Sequence, residues 1–193
     1  MDDLSLIAPP PALASLAQET ERLGFAMASE PLVGTLLRVL AASKPAGRIL
    51  ELGTGTGIAT AWILSGMSSD ATLVSVDNDP KVQAVAARVL GEDQRLQLVT
   101  ADGLDFLARQ SPQSFDMVFA DAMPGKYEGL RLSLDLVKPG GFWIGDDLLP
   151  QPSWPEGHAA KVPRLLTELA NDPQFTIVPL AWGSGVVIAV RRA

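Results

Sequence analysis

The stretch Ile49-Leu50-Glu51-Leu52-Gly53-Thr54-Gly55-Thr56-Gly57-Ile58 decides the fold of this 193-residue chain. A short apolar run leads into three alternating glycines, and a segment with helical spacing follows them. A strand that turns through glycines into a helix lets the backbone pass close to a ligand, where side chains would obstruct it. We therefore predict that Gly53, Gly55 and Gly57 form a cofactor loop, with Glu51 as the acidic residue before it.

The rest of the chain alternates between strand and helix patterns. Apolar runs predict strands at residues 49–52, 71–76, 96–101, 115–120, 142–145, 175–180 and 186–190. Helical spacing and caps predict two leading helices within 11–43, then helices at 58–67, 80–90, 104–108, 129–137 and 159–170. This alternation predicts an α/β fold with a doubly wound, mostly parallel seven-stranded sheet that binds ligands at the carboxyl ends of its strands.

The two ends of the chain differ from this α/β pattern. Residues 181–185 join the last two strands and are too few for a parallel crossover, so we predict a C-terminal antiparallel hairpin. No repeat, low-complexity segment or linker divides the chain. We therefore predict one domain over 1–193, with an N-terminal helical segment at 1–46 and a cofactor-binding α/β core at 47–193.

Composition limits the partners of this protein. The net charge is -7 and no basic cluster interrupts it, which disfavours nucleic acids and anionic membranes and favours a small-molecule substrate. The absence of cysteine excludes disulfides, thiolate metal sites and a cysteine nucleophile, and it is consistent with the cytoplasm. No apolar run approaches the roughly 18 residues of a membrane span, and Met1-Asp2-Asp3 lacks the basic start of a signal peptide.

The glycine loop alone fits two kinds of cofactor. A nicotinamide dinucleotide site requires glycine at the sixth position of the motif, where this chain has Ile58. The shorter loop preceded by Glu51 instead resembles the first motif of class I S-adenosylmethionine-dependent methyltransferases. Asp77 ends the second strand, where a carboxylate can accept both ribose hydroxyls of an adenosine. Asp79 precedes Pro80 and is predicted to cap a helix.

Asp102 closes the third predicted strand and has two possible roles. Its carboxylate can meet the adenine amino group of the cofactor. With Asp105 three residues later, Asp102 also has the pattern of a helix start. The two roles are compatible.

From the second helix to the last residue, the order of motifs resembles that of the cation-dependent O-methyltransferases, which include catechol and caffeoyl-CoA O-methyltransferases. The residues that carry the resemblance are 49–53, Val76-Asp77, 101–103, 115–122, Tyr127, 136–141 and Asp146-Asp147. The resemblance implies a Rossmann-like methyltransferase fold, S-adenosyl-L-methionine as cofactor and a small-molecule methyl acceptor. We further expect a homodimer.

In that family, an Asp after the fourth strand and an Asp-Asn pair after the fifth hold a divalent cation. These positions match Asp121, Asp146 and Asp147 of this chain, so the resemblance implies a site for Mg²⁺ or another divalent cation. Neighbouring strands would bring these carboxylates together. A cation would compensate their charge, or one carboxyl could keep its proton through a raised pKa. Alternatively, Asp146 and Asp147 alternate across the strand, so that one faces away.

The family's active-site lysine lies three residues after the first metal-binding Asp, and here that position is Pro124. Lys126 can replace it if the Pro124-Gly125 turn re-aims its side chain; otherwise Lys126 faces solvent. His158, the only histidine, follows the loop 151–157 and either deprotonates the acceptor or simply opens the next helix. The predicted catalytic residues are Asp121, Lys126 and His158, and Asp121 is also predicted to contact the cofactor.

Two tryptophans, Trp154 and Trp182, are candidates for apolar walls against a flat substrate or for ordinary core residues. The predicted function is transfer of a methyl group from S-adenosylmethionine to a hydroxyl of a small molecule. Three alternatives are a metal-independent methyltransferase acting on nitrogen, carbon or another acceptor, a nicotinamide-dependent oxidoreductase, and a non-catalytic cofactor-binding protein.

Overall fold

The computed structural model describes residues 7–152 and 154–193 and contains one seven-stranded sheet with the order β3-β2-β1-β4-β5-β7-β6. Strands β1 to β5 are parallel, and β7 is antiparallel to both β5 and β6. The strands are β1 (Arg48–Leu52), β2 (Thr72–Asp77), β3 (Leu96–Thr100), β4 (Phe115–Ala120), β5 (Val137–Gly145), β6 (Phe175–Leu180) and β7 (Val186–Arg191). The predicted α/β fold and its C-terminal antiparallel hairpin are therefore confirmed.

Seven α-helices surround the sheet in the described part of the chain. They are α1 (Leu13–Leu23), α2 (Pro31–Ala42), α3 (Ile58–Gly66), α4 (Pro80–Leu90), α5 (Gly103–Leu107), α6 (Leu130–Asp135) and α7 (Lys161–Asn171). A short 3-10 turn, His158–Ala160, precedes α7. Within residues 7–152 and 154–193, none of the helices has the length and apolar character needed to cross a membrane.

Two apolar layers bury the faces of the sheet. One contains Leu37, Trp62 and Ile63 of the helices on one side, and the other contains Trp143 and Leu165 on the opposite side. The central strand β1 is almost entirely buried because helices cover both of its faces. Its continuous apolar run reflects this double burial, and the loops at its carboxyl end become the open edge at which ligands bind.

One predicted boundary is wrong. The helix expected over 129–137 ends at Asp135, and Val137 already pairs with Phe115 in the sheet. The next pair is Phe142 with Met117, so residues 138–141 bulge out of the ladder opposite Asp116. The Lys138 ammonium contacts the Asp116 carboxylate at 2.7 Å and supports the bulge. The sequence predicted that β5 begins at residue 142 instead of Val137, because the proline and glycines at 139–141 disfavour a regular strand.

The leading helices pack against the Rossmann-like core. Helix α2 lies on α3 at Gly34, where an added Cβ would be 2.3 Å from the Trp62 ring. Helix α1 contacts α4, and Thr20 of α1 shares a 2.7 Å hydrogen bond with Thr56 of the glycine loop. Residues 25–29 connect these two helices and lie over the carboxyl edge of the sheet.

Candidate active site

The predicted glycine loop lies at the carboxyl end of β1 and has the backbone geometry that glycine permits. Gly53 and Gly57 adopt φ values of 99° and 95°, which side chains disfavour. A Cβ on Gly53 would stand 2.5 Å from the Asp121 carbonyl oxygen, and one on Gly57 would stand 2.8 Å from Ala86 Cβ. The loop therefore packs closely against β4 on one side and α4 on the other, and it forms the floor of a cavity.

This first cavity has a volume of about 400 Å³. The loop residues Gly53 and Gly55 form one wall, Asp77 and Ala101 form another, and Met27 covers the cavity from the segment between α1 and α2. Asp121 also borders it. The cavity occupies the predicted position at the carboxyl ends of β1, β2 and β4.

Asp77 lies at the wall of the first cavity, as its position in the sequence indicated. Its Oδ2 accepts a 2.8 Å hydrogen bond from the Gly55 N–H, and its Oδ1 accepts one of 2.9 Å from the Asp79 N–H. Asp79 itself accepts from the Lys81 and Val82 N–H groups and caps α4, so that prediction is confirmed. The Asp77 carboxylate thus braces the glycine loop while facing the cavity.

Glu51 does not line the first cavity, although the sequence suggested a role in holding the cofactor. Its side chain is fully buried, and its Oε2 accepts hydrogen bonds from Ser75 Oγ at 2.5 Å and from Thr60 Oγ1 at 2.6 Å. Its Oε1 has no hydrogen-bond partner among the described residues. Burial raises the pKa of Glu51 to about 7, against the opposing hydrogen bonds from Ser75 and Thr60. Glu51 supports the loop from beneath.

Asp102 acts as the N-cap of α5, which is the second of its two predicted roles. The side chain is exposed, and its Oδ1 accepts from the Leu104 and Asp105 N–H groups at 2.9 and 3.0 Å, capping α5. Its neighbours Ala101 and Gly103, rather than the Asp102 carboxylate, line the first cavity.

A second cavity of about 330 Å³ adjoins the first. The two share Met27, Ser29 and Asp121, and Ser29 Oγ donates to Asp121 Oδ2 at 3.1 Å. The second cavity brings together every predicted catalytic and metal-binding residue: Asp121, Lys126, Asp146, Asp147 and His158. Residues distant in sequence therefore converge beside the cofactor loop.

Lys126 is buried, with 3 % of its surface exposed, so the alternative of a solvent-facing lysine is wrong. Its Nζ donates to the Asp146 carbonyl oxygen at 2.9 Å and lies 3.8 Å from Asp121 Oδ1. The ring of Tyr127 is 5.2 Å from the same ammonium. Gly125, with φ of 80°, forms the turn that aims Lys126 inward.

Asp146 and Asp147 point to different partners. Asp146 is 2 % exposed, and its Oδ1 accepts from Ser184 Oγ at 2.5 Å and from the Asp147 N–H at 2.7 Å. Asp147 has a φ of 63°, and its Oδ1 accepts from Trp154 Nε1 at 2.7 Å. Across the part of the chain that the structure describes, no three His, Cys, Asp or Glu side chains are grouped so that they could hold a metal ion.

His158 is buried against aromatic rings. Its ring stacks on Trp154 with centroids 4.4 Å apart, and Nε2 lies 3.2 Å from the Tyr127 hydroxyl and 3.7 Å from Asp147 Oδ2. Burial lowers the pKa of His158, although Asp147 opposes that shift, so the imidazole is neutral near pH 7. A neutral imidazole can accept a proton. Ser153 of the preceding loop and Met1-Asp2-Asp3 lie outside the described residues.

Comparison with known proteins identifies the family. The family described as a methyltransferase domain matches residues 50–148, which span the glycine loop and all three predicted metal-binding carboxylates. A "Putative O-methyltransferase" of Mycolicibacterium vanbaalenii is 31% identical over 93% of this chain and 84% of its own length. The chain belongs to the S-adenosylmethionine-dependent methyltransferases.

Solved structures agree with this assignment. The O-methyltransferase TomG from Streptomyces achromogenes, involved in tomaymycin synthesis and solved in complex with S-adenosylmethionine, is 26% identical with a TM-score of 0.83. The matched region covers 98% of the present chain and 93% of the TomG chain. An O-methyltransferase from Bacillus cereus, solved with S-adenosylhomocysteine, is 22% identical over 97% of this chain and 94% of its own, with a TM-score of 0.84, and shows the shared fold.

The buried carboxyls give the second cavity of the methyltransferase an unusual charge state. Burial and the neighbouring Asp146 raise the pKa of Asp121, and Lys126 opposes the shift. Burial also raises the pKa of Asp146, against hydrogen bonds from Ser184 and the Asp147 N–H. These directions favour the alternative that one carboxyl keeps its proton. Burial and the nearby carboxylates raise the pKa of the Tyr127 phenol, which therefore remains protonated.

Several residues of the site were not predicted from the sequence. Ser29 and Met27 come from the segment between α1 and α2, and Ser184 comes from the turn of the terminal hairpin. The flanking glycines of Gly183-Ser184-Gly185 marked a turn, but nothing in the local sequence indicated that this turn reaches Asp146. Trp182 donates from Nε1 to the Leu32 carbonyl at 2.7 Å and holds the hairpin against α2, without lining either cavity.

Proposed function

We propose that this methyltransferase transfers a methyl group from S-adenosylmethionine to a hydroxyl oxygen of a small molecule. The observation that carries the proposal is the pair of adjoining cavities that meet at Asp121. The bound cofactor supplies an electrophilic methyl group. Displacement at such a group requires that the two reactants be aligned, and two adjoining cavities that share Asp121 favour such an alignment.

The first cavity is proposed to hold the cofactor. The Asp77 carboxylate accepts the ribose hydroxyls, and Gly53 and Gly55 line the cavity where the backbone passes close to the cofactor. Gly57 does not line the cavity and instead lets the loop pack on Ala86 of α4. The adenine lies near the Asp102 turn, where Ala101 and Gly103 border the cavity. Glu51 acts indirectly by fixing the loop from beneath.

The second cavity is proposed to hold the acceptor, and His158 is proposed to take its proton. The buried, neutral imidazole can accept a proton at Nε2, which lies within 3.7 Å of Asp147 Oδ2. Asp147 then stabilises the charged ring, and stacking on Trp154 holds its orientation. Asp121 separates the two reactants and orients Ser29, and Lys126 faces the acceptor.

Charge favours an uncharged acceptor. Four acidic residues line the second cavity, namely Glu30, Asp121, Asp146 and Asp147, while Lys126 is the basic residue with a fixed charge along its wall. Even when one of these carboxyls keeps its proton, negative charges outnumber the lysine, so a carboxylate or phosphate on the acceptor would be repelled. A hydroxylated ring without anionic substituents fits the volume and the aromatic side of this cavity.

The resemblance to cation-dependent relatives also implies a divalent cation between Asp121, Asp146 and Asp147. The carboxylate oxygens of these three residues are not arranged as ligands of a metal ion. The Asp146 Oδ1 is occupied by Ser184 and the Asp147 N–H, and the Lys126 ammonium lies beside Asp121. Mg²⁺ requires near-octahedral oxygen coordination, and in the described part of the chain no three Asp, Glu, His or Cys side chains are grouped so that they could hold it. No step of the proposed reaction therefore depends on a metal.

The test is turnover. Purified protein is incubated with S-adenosylmethionine and a panel of catechols, phenols, aliphatic alcohols and amines, and methylated products are detected by mass spectrometry. We expect O-methylated products from uncharged hydroxyl compounds. Exclusive N- or C-methylation would overturn the choice of acceptor, and no turnover of any compound would favour a non-catalytic binding protein.

A substitution tests the base. His158→Asn is expected to lower kcat about 100-fold, since general-base catalysis contributes about 10²–10⁴. Binding of S-adenosylhomocysteine should stay unchanged because His158 borders only the second cavity. Glu156→Gln, an exposed change in the same loop, is the matched control and should leave kcat unchanged. Full activity of His158→Asn would show that His158 is not the general base.

We also propose that residues 1–193 form one methyltransferase domain that works as a homodimer in the cytoplasm. The contribution of residues 25–29 to both cavities supports a single domain. Exposed apolar side chains, including Val39 of α2 and Val178 of β6, offer surface for self-association. The lack of cysteine is consistent with a reducing compartment. Sedimentation at micromolar concentration tests the dimer, and a monomer would contradict it.

A further inference from the structure

We propose that the Lys126 ammonium takes the place that a divalent cation has in the cation-dependent relatives, so that the acceptor oxygen is held by a lysine and not by a metal. This inference rests on the proposed O-methyl transfer. It also goes beyond it, because it assigns Lys126 the role of a fixed cation instead of the base.

The position of Lys126 supports this role. Its Nζ is 2.9 Å from the Asp146 carbonyl oxygen and 3.8 Å from Asp121 Oδ1. These are two of the three residues that would hold the cation in the relatives. The side chain is 4 % exposed, so its charge acts in surroundings with little water, where electrostatic interactions are stronger. A positive charge therefore already lies beside the Asp121 carboxylate and the Asp146 carbonyl oxygen.

The neighbouring groups are arranged around this ammonium. Asp146 presents its carbonyl oxygen to Lys126, while its carboxylate is turned to Ser184 and to the Asp147 N–H. Asp147 turns its Oδ1 to Trp154. One carboxylate oxygen each of Asp146 and Asp147 is thus engaged by neutral donors, and the nearest cation is covalently attached to the chain.

A sequence change accounts for the placement. Pro124 stands where the relatives have their lysine, and Gly125 follows it with a φ of 80°. A Cβ on Gly125 would lie 2.4 Å from Leu52 Cδ1, and its carbonyl oxygen accepts from Ser133 Oγ at 2.6 Å. The lysine of this chain lies two residues later in the sequence than that of the relatives, and the Pro124-Gly125 turn directs its side chain into the second cavity.

The chemistry balances without a metal. An ammonium has three N–H donors, and the Asp146 carbonyl takes one of them, which leaves donors for an acceptor oxygen in the second cavity. The acceptor O–H bond breaks and its proton passes to His158 Nε2. The oxygen forms the new bond to the methyl carbon, and the electron pair of the broken S–CH₃ bond remains on sulfur. Lys126 stabilises the negative charge that develops on oxygen.

Metal binding gives a test that is independent of activity. Mn²⁺ is titrated into the protein saturated with S-adenosylhomocysteine, and free Mn²⁺ is followed by electron paramagnetic resonance. We expect no stoichiometric binding below millimolar concentration. A stoichiometric site of micromolar affinity that disappears in Asp121→Asn would overturn the proposal. This outcome would leave the proposed O-methyl transfer intact.

Activity provides the second arm, with any acceptor that the panel shows to be methylated. Chelator treatment should leave kcat unchanged, and added Mg²⁺ should not raise it. Lys126→Met, which keeps the length of the side chain, should lower kcat about 100-fold, as removal of one oxyanion donor does, while S-adenosylhomocysteine still binds. Lys81→Met is the control, since this lysine is exposed on α4 and lines neither cavity.

The control should keep wild-type kcat. Loss of activity on chelation with recovery on adding Mg²⁺, or full activity of Lys126→Met, would contradict the proposal. Failure of every acceptor in the panel would instead count against the proposed function, and the Mn²⁺ titration would still decide whether the ammonium excludes a metal.

Discussion

At the scale of single residues, buried polar groups beneath the glycine loop determine its shape. Ser75 donates to Glu51 and also shares a 2.6 Å hydrogen bond with Thr54 of the loop. Gln83 of α4 donates to Thr54 Oγ1 at 3.0 Å. The loop is thus tied to β1, β2 and α4 at once. A network of this kind rigidifies a site. Glu51 is the member that can change its charge, and its Oε1 is the network atom without a hydrogen-bond partner among the described residues.

Glu51 makes stability depend on pH. Its pKa rises from 4.5 in the unfolded chain to about 7 in the folded protein. Between these values the folded state holds a proton that the unfolded state has lost. The contribution of Glu51 to stability is therefore greatest below about pH 4.5, falls as pH rises to about 7, and is constant above that.

Glu51→Gln tests this dependence. The free energy of unfolding by urea is measured for both proteins between pH 4 and pH 8, and the difference between them should change by about 3 kcal/mol over this range. The free energy of unfolding of the wild type should fall relative to that of Glu51→Gln as pH rises, because the wild type must ionise a buried carboxyl. Parallel curves for the two proteins would contradict a raised pKa of Glu51.

Residue roles at the site were only partly predictable. The places of Asp77, Gly53 and Gly55 at the wall of the first cavity were predictable because strand ends and positive-φ turns have local sequence signals. Asp121, Asp146 and His158 were expected at one edge because parallel strands share it. The burial of Lys126 and the withdrawal of Glu51 from the cavity depend on long-range packing and on the Pro124-Gly125 turn, which no local pattern encodes.

At the scale of elements, the contact between α2 and α3 supports the segment 25–29, which covers the first cavity. Gly34 lets the Trp62 ring approach the backbone of α2, and Gly66 lets α3 approach Arg38. Helix α2 begins at Pro31, one residue beyond the segment 25–29, so its position sets the position of the segment that borders both cavities.

Gly34→Ala should destabilise the protein. The new methyl group would lie 2.3 Å from Trp62 Cδ1, and overpacking of this kind outweighs the better helix propensity of alanine. We expect a net loss of about 1–2 kcal/mol in the free energy of unfolding. Gln18→Ala, at an exposed position of α1, is the control, with an expected change below about 0.5 kcal/mol. Equal stability of Gly34→Ala and the wild type would show that the two helices can separate at little cost.

The elements themselves were largely predictable, with one instructive exception. Regular alternation of apolar strands and amphipathic helices indicated the parallel sheet, and the short connection at 181–185 required the hairpin. The start of β5 was missed because residues 138–141 form a bulge rich in proline and glycine. The sheet partner Phe115, which is distant in sequence, decides that pairing.

At the scale of the whole molecule, the sheet brings three distant parts of the chain to one edge. The glycine loop follows β1, the carboxylates follow β4 and β5, and Ser184 arrives from the hairpin. The leading helices add the covering segment at 25–29. Two adjoining cavities result, and cofactor and acceptor are expected to bind on either side of Asp121.

The most direct test of this arrangement is calorimetric titration of S-adenosylhomocysteine into the wild type, Asp77→Ala and Asp105→Ala. Loss of a carboxylate that accepts ribose hydroxyls should weaken binding about 10–100-fold in Asp77→Ala, since hydrogen bonds to charged groups contribute about 1.5–3 kcal/mol. Asp105, exposed on α5 and outside both cavities, should be replaceable without effect. Binding by Asp77→Ala as tight as that of the wild type would contradict the assignment of the first cavity to the cofactor.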